Sequence, residues 1–300
     1  MRVLLTGAKG QLGFELHKKL LSIGEVIATD RYNLDLGNPE FIRSFLNEIK
    51  PDIIVNPAAY TQVDKAENEV KLAYQINALA PKVLTEKARE FNIPIIHFSS
   101  GYVFDGLKLE PYLETDKTFP QSVYGKSKLE GEEEVRQFNK HIILRTNWIF
   151  ASHSNNFLKK ILRLIQEEES LNIVCDQNGT PTSAKVLADA TSKIIKTIFA
   201  SPSFKDYGTY HIACDEYTNW HQYASFICEK AIQFGFAVNM TPLDIKPILS
   251  CENYKAALRP ANSKLNTEKI KSTFMLEFPN WEVEVEETLK KLAPLEIMDL

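Results

Sequence analysis

Two rhythms of apolar residues alternate along this chain of 300 residues. Short unbroken apolar runs occur at Val3-Leu4-Leu5, Val26-Ile27-Ala28, Ile53-Ile54-Val55, Ile95-Ile96-His97-Phe98 and Ile142-Ile143-Leu144. Runs of this kind suit strands buried on both faces. Between them the apolar positions fall three and four apart: Leu12, Leu16 and Leu20, and again through Val70 to Phe91, which predicts helices, with Gly24 as the cap of the first. Strand and helix in alternation predict an α/β fold with a parallel sheet covered on both faces. Helical spacing returns at Phe157 to Ile165 and Val186 to Phe199, with short strands expected at Leu171-Asn172-Ile173-Val174 and Gly208-Thr209-Tyr210-His211-Ile212.

The first strand runs into Gly7-Ala8-Lys9-Gly10-Gln11-Leu12-Gly13 and then a helix. Small residues in such a turn let backbone N–H groups and the helix N-terminus approach a pyrophosphate. With the second strand behind it, this context predicts a Rossmann-type doubly wound sheet that binds NAD or NADP along the turn of Gly7, Gly10 and Gly13. Asp30, at the end of the second strand, suits the adenosine ribose of NAD, whereas Arg31 beside it suits the 2′-phosphate of NADP. The pair leaves the choice open. After the third strand, Asn56-Pro57-Ala58-Ala59-Tyr60-Thr61 offers small side chains beside which a cofactor could lie close to the backbone.

Residues 1–150 are expected to form the cofactor domain, with elements around 171–215 returning to it. The rest of 151–300 is expected to form mainly a smaller substrate domain with a discontinuous boundary. The net charge of −4 provides no basic stripe for nucleic acid. An N-terminus that already reads as a strand, and the lack of any long apolar segment, predict a soluble cytoplasmic protein without a membrane partner. Cys175, Cys214, Cys228 and Cys251 are widely spaced, mostly in apolar surroundings, and are expected as buried thiols.

The candidate chemistry centres on Tyr124 and Lys128 in Val123-Tyr124-Gly125-Lys126-Ser127-Lys128. Four residues apart on a helix, they share a face, and the ammonium would favour the ionised phenol. Reduction of a ketone needs a hydride at carbon and a proton at oxygen, with a neighbouring hydroxyl such as Ser100 to hold the carbonyl. The strand ends at Asn56, Ser100 and Thr146 aim at one crevice, the usual binding place in such sheets.

With these motifs the chain resembles the extended short-chain dehydrogenase/reductase superfamily, and within it the dTDP-4-dehydrorhamnose reductase family. The more specific resemblance lies in Val63-Asp64-Lys65-Ala66-Glu67, Tyr102-Val103-Phe104, Arg145-Thr146-Asn147-Trp148, Asn155-Asn156-Phe157, Asp176-Gln177-Asn178-Gly179-Thr180-Pro181-Thr182 and Arg259-Pro260-Ala261-Asn262-Ser263. It implies NADPH- or NADH-dependent reduction of a dTDP-linked 4-keto-6-deoxyhexose to dTDP-L-rhamnose. Tyr124 would donate the proton, Lys128 would bind the nicotinamide ribose and lower the Tyr124 pKa, and Ser100 would hold the carbonyl. Gly10, Gln11 and Leu12 would lie on the pyrophosphate, Asp30 near the ribose, Asp35 and Leu36 near the adenine, and Ala59, Tyr60 and Thr61 along the cofactor. Val63 and Trp148 would contact the sugar nucleotide, Trp148 by covering the apolar face of the ring; a core aromatic is the plainer reading of Trp148. A homodimer is compatible with the resemblance.

One departure stands out. The family usually reads Ser-Thr-Asp-Tyr-Val-Phe where this chain has Ser99-Ser100-Gly101-Tyr102-Val103-Phe104. Serine keeps the hydroxyl, but Gly101 removes a carboxylate from the substrate side, which bears on hydroxyl stereochemistry. A reductase giving a different epimer and a non-catalytic cofactor-binding subunit of another enzyme therefore stay open as alternatives. His97 is expected as a packed histidine, and Glu130, Glu132-Glu133-Glu134 and Glu167-Glu168-Glu169 as solvated helix faces. Some family members hold a metal through a residue equivalent to Glu15, but no ligand set is discernible here and no metal is expected.

Overall fold

The computed structural model describes residues 1–253 and 256–293. Strand β1 (Arg2–Leu5) leads into helix α1 (Gln11–Leu20) and strand β2 (Glu25–Ala28), followed by α2 (Pro39–Ile49) and β3 (Ile53–Asn56). A helical stretch from Val70 ends in α3 (Ala80–Phe91), before β4 (Ile95–Ser100), α4 (Val123–Arg136) and β5 (His141–Thr146). Beyond these lie α5 (Phe157–Glu167), α6 (Ala184–Ala200), β6 (Gly208–His211) and α7 (Trp220–Gln233).

The main sheet is parallel throughout, in the order β6-β5-β4-β3-β1-β2. Alternate residues of each strand enter different cores, as the two-residue period of a strand requires. Val3, Leu5, Ile53, Val55, Ile96 and Phe98 pack with α1, α5 and α6. Leu4, Ile54, Ile95 and Ile143 pack on the other side with α2 and α3. That double burial explains the unbroken apolar runs. The strand at 171–174 stays outside this sheet and pairs in parallel with Ile245–Ile248. One apolar cluster nonetheless runs from Val3 through Tyr223 to Leu289, so elements of the second half share a core with the sheet.

Three local expectations are corrected. Gly24 is not the cap of α1, which ends at Leu20 with Leu21 as its cap; a Cβ at Gly24 would lie 2.2 Å from the Met1 carbonyl oxygen, so close approach to the start of β1 is its constraint. Cys214 and Cys228 are buried thiols, but Cys251 is exposed and Cys175 partly so. Glu130, Glu133 and Glu167 to Glu169 face solvent, whereas Glu132 does not.

Glu132 is fully buried and clamps the equally buried Arg145 of β5. Arg145 Nε donates to Oε1 at 2.9 Å and a terminal nitrogen donates to Oε2 at 2.7 Å. The guanidinium also lies 5.0 Å from the centre of the Phe104 ring. Burial favours the neutral form of Glu132, but the hydrogen bonds and charge of Arg145, joined by the charge of Arg136 paired to the same carboxylate, outweigh it and hold the carboxyl below its ordinary pKa. His211, buried beside Arg145, is pushed down to about 3 by burial and by that positive charge.

A buried pair broken on one side leaves an uncompensated charge, which costs about 3–5 kcal/mol. Glu132→Leu, which strands the buried Arg145, is expected to lose about that much stability in urea unfolding, Arg145→Met less because Arg136 still pairs with Glu132, and the double variant recovers most of the Glu132→Leu loss. A double variant no better than the worse single one would show that the pair is not the reason for the loss.

Candidate active site

The strand order reverses at β1, where chain leaving β1 and chain leaving β3 diverge and open a crevice. The turn after β1 is built from glycines for steric reasons: Gly7 has φ +59°, and a Cβ at Gly13 would lie 2.0 Å from the Gly7 carbonyl oxygen. Gly10 precedes α1 without any side-chain cap, which leaves the first N–H groups of the helix facing the crevice end.

A cavity of about 730 Å³ lies here. Gly7, Gly10, Gln11, Leu12, Gly13, Asp30, Arg31, Asp35, Leu36, Ala58, Ala59, Tyr60 and Thr61 line it, together with Gln62 and Ile76, which the sequence reading did not single out, and Lys9 and Asn155, which stood in its motifs without a role. Tyr124 and Lys128 are not among its lining residues. Two observations fit a dinucleotide: the glycine turn has no room for side chains, and Gln11 Oε1 is buried without a partner in the protein. At the end of β2, Asp30 pairs with Lys9 and accepts from the Tyr32 N–H at 2.8 Å. These bonds, that to Lys9 foremost, hold its carboxyl below the ordinary value.

The wall formed by residues 58–61 is held by a side chain the sequence reading passed over. The helix before α3 has a π-helical turn at Gln75–Leu79. It aims Asn77 inward, where Oδ1 accepts from Tyr60 N–H at 2.8 Å and Nδ2 donates to Tyr60 O at 3.1 Å and Ser127 Oγ at 3.0 Å. The cavity wall and α4 are thereby tied together, a common use of such turns at functional sites. Asn77 stands among other polar residues of this stretch, Lys71, Gln75 and Lys82 among them, and nothing in the sequence marked it. Glu67 was likewise missed; its carboxylate accepts the Val123 N–H at 2.8 Å and fixes the start of α4.

Ser100 ends β4, and its Oγ accepts the Tyr102 N–H at 3.2 Å. Lys128, one helical turn beyond Tyr124, donates to the Phe98 carbonyl of the same strand at 2.6 Å. Tyr102 meets Tyr124 edge to face, ring centres 5.9 Å apart. The electrostatics differ from expectation. Burial raises the Tyr124 phenol to about 12, with a hydrogen bond from Ser100 drawing it part of the way back. Lys128 does not make the phenol acidic; burial lowers the ammonium itself to about 8, against the upward pull of Glu132. Its proton donation to a carbonyl of β4, rather than to the phenol, is the geometric reason. His97 is packed as expected: Thr6 donates to Asn56 at 2.6 Å, Asn56 Nδ2 contacts His97 Nδ1 at 3.0 Å, and burial keeps the imidazole neutral.

Trp148 follows β5 with φ +47°, a strained value for a bulky residue. Its partly buried ring stacks on Trp220 of α7 at 3.6 Å between centres, and Trp220 rests on Phe157 at 4.4 Å. Val63 opens a short helix, Val63–Ala66, whose Asp64 takes a two-point ion pair from Arg259 at 2.6 and 3.0 Å. Among the described residues, no three or more His, Cys, Asp or Glu side chains gather as a metal site, and no helix is long and apolar enough to cross a membrane.

The family described as RmlD substrate binding domain matches residues 1–293. The dTDP-4-dehydrorhamnose reductase of Escherichia coli (strain K12) is 40% identical over 297 residues, 97% of this chain and 98% of that protein. A solved dTDP-4-dehydrorhamnose reductase from Clostridium acetobutylicum ATCC 824 is similar with a TM-score of 0.89 at 37% identity, covering 97% of this chain and 99% of that one. The enzyme of the same description from Bacillus anthracis str. Ames, solved in complex with NADP, gives 0.88 at 34% identity, covering 97% and 99%.

A lysine whose pKa falls on folding costs stability as long as it stays charged. Below about pH 8 Lys128 is protonated whether folded or not, and the cost is complete. Between there and its ordinary value of 10.5 the unfolded chain binds a proton that the folded protein has lost, so stability rises with pH. In urea unfolding without added cofactor, wild type is expected to gain up to about 3 kcal/mol on Lys128→Met between pH 7.5 and 10.5. A difference independent of pH would show that burial does not depress this lysine.

Proposed function

The chain belongs to the dTDP-4-dehydrorhamnose reductase family, and from that premise we propose that Tyr124, Ser100 and Lys128 carry the proton side of its reaction. The protein is an oxidoreductase that reduces the C4 ketone of dTDP-4-dehydro-L-rhamnose to dTDP-L-rhamnose with NADPH or NADH. The nicotinamide supplies a hydride to the sugar carbon. What the chain supplies is orientation, a proton and a charge.

The observation that carries the assignment is the placement of Tyr124 and Lys128 on one face of α4 over the end of β4, where Ser100 stands and the Lys128 ammonium donates to the Phe98 carbonyl at 2.6 Å. At neutral pH a phenol raised to about 12 is wholly protonated, as a donor should be. The alkoxide that forms as hydride reaches carbon is a stronger base than a phenolate, so the proton moves downhill from Tyr124 Oη to the sugar oxygen. Ser100 donates to that oxygen while its charge develops. Lys128, still largely protonated at neutral pH, offsets the transient phenolate, while burial keeps the resting phenol above its ordinary value.

Gly7, Gly10, Gln11, Leu12 and Gly13 would hold the pyrophosphate, Asp30 and Arg31 the adenosine ribose, Asp35 and Leu36 the adenine, and residues 58–61 the remaining length. Lys9 bears on the choice of cofactor, since it neutralises Asp30 and, with Arg31, adds positive charge where a 2′-phosphate would lie. Val63 and Trp148 would face the sugar nucleotide, with Trp220 as the platform behind Trp148.

The test is oxidation of NADPH and of NADH by the purified protein with dTDP-4-dehydro-6-deoxyglucose and a 3,5-epimerase, the product identified by NMR. Turnover to dTDP-L-rhamnose, reduced about 10²–10⁴-fold in Tyr124→Phe, is expected. Full activity in that variant would remove Tyr124 from the role, and cofactor binding without turnover would favour the binding-subunit alternative.

A further inference from the structure

Gly101 lacks a side chain, yet the space beside it is filled. A Cβ built at Gly101 would lie 2.4 Å from Asn147 Nδ2 and 2.8 Å from Asn147 Oδ1, separations that real side chains do not tolerate. Asn147 is 5% exposed and cannot easily withdraw. Its Nδ2 donates to the Ser263 carbonyl at 2.6 Å, and its Oδ1 accepts the Gly101 N–H at 3.0 Å. The same Oδ1 lies 3.5 Å from Ser100 Oγ. The carboxamide thus spans the ends of β4 and β5 and the segment that carries Ser263.

We propose that Asn147 is a positioning residue for Ser100, its carboxamide standing where a side chain at 101 would stand, and that Gly101 is glycine because Asn147 needs that space. The proposal rests on the reductase reading and deepens it. Ser100 Oγ already accepts from the Tyr102 N–H and has a single proton to give, for which the Tyr124 phenol and Asn147 Oδ1 both stand as acceptors. At 3.5 Å, Asn147 Oδ1 is a weak acceptor that orients this proton without holding it firmly. A ketone oxygen at normal hydrogen-bond distance takes it at little cost. A carboxylate at 147 would compete for the proton and could not donate to Ser263, which is why an amide suits the position.

The experiment compares wild type, Asn147→Ala, Gly101→Ala and the double variant, each checked for NADPH affinity. The readouts are kcat, sugar KM and the kinetic isotope effect with NADPH deuterated at the transferred position. Loss of Asn147 is expected to lower kcat about 10²-fold, as for a displaced catalytic group, to raise the isotope effect, and to leave NADPH affinity and sugar KM within about threefold of wild type. Gly101→Ala alone is expected to be damaging, and the double variant no worse than Asn147→Ala, because removing the carboxamide frees the space. If Asn147→Ala fails to fold, the double variant, whose added methyl occupies the vacated volume, carries the same test. An Asn147→Ala enzyme within threefold of wild-type kcat, a harmless Gly101→Ala, or losses that multiply in the double variant would each overturn the proposal while wild-type turnover leaves the reductase reading standing. No turnover in wild type would overturn both.

Discussion

The site depends on a buried ion pair that does no chemistry. Glu132 joins α4 to Arg145 of β5, and Tyr124, Lys128 and Glu132 follow one another at four-residue intervals along one face of α4. Fixing the last therefore fixes the register of the other two over the strand ends. Lys128 reaches a carbonyl of β4, and Arg145 stands opposite Ser99 in the β4–β5 ladder, so pair, lysine and Ser100 belong to one rigid unit. The arrangement is worth having only while it is complete, since each of its charges would be costly alone in this interior.

Within that unit, dehydration and charge act on the same groups, and dehydration prevails. Spacing alone suggests that Lys128 should acidify Tyr124, because the two share a helix face. In the folded protein the phenol rises and the ammonium falls, each moving towards its neutral form. For a reductase this is the useful direction on the phenol. A neutral donor whose proton leaves only as the alkoxide forms wastes none of its population as phenolate at neutral pH.

How much was legible in the sequence follows from which forces are local. Four of the five apolar runs became central strands because burial on both faces leaves an unmistakable pattern, the fifth became the partly buried edge strand β2, and the glycine turn was legible because crowding at Gly7 and Gly13 excludes other residues. Glu132 was misread as solvated because a glutamate among glutamates looks the same in sequence whether it faces water or an arginine thirteen residues later. Asn77 was invisible for a related reason. Its role depends on one turn of π-helix, which rotates a single side chain towards the cavity wall and leaves the surrounding periodicity almost unchanged. Long-range pairing of polar groups has no period, and it decided most of what the sequence did not reveal.

The motifs of the second half converge for the same kind of reason. Arg259 pairs with Asp64, Ser263 receives Asn147, and the backbone around Asn178 bonds that of Ala261 and Ser263, so a segment more than a hundred residues downstream is laced onto the strand ends. Such a lattice constrains volume and hydrogen-bond complement more tightly than the identity of any one residue. At the end of β4 the constraint is met by Gly101 with Asn147: a backbone without a side chain, and a carboxamide from just beyond the neighbouring strand that fills the space and bonds the buried Gly101 N–H. Loss of a carboxylate at one position is therefore compatible with an intact site, provided that the volume and the acceptor reappear from across the ladder. The place of the polar atom is what the strand end has to preserve, and the residue that provides it can change.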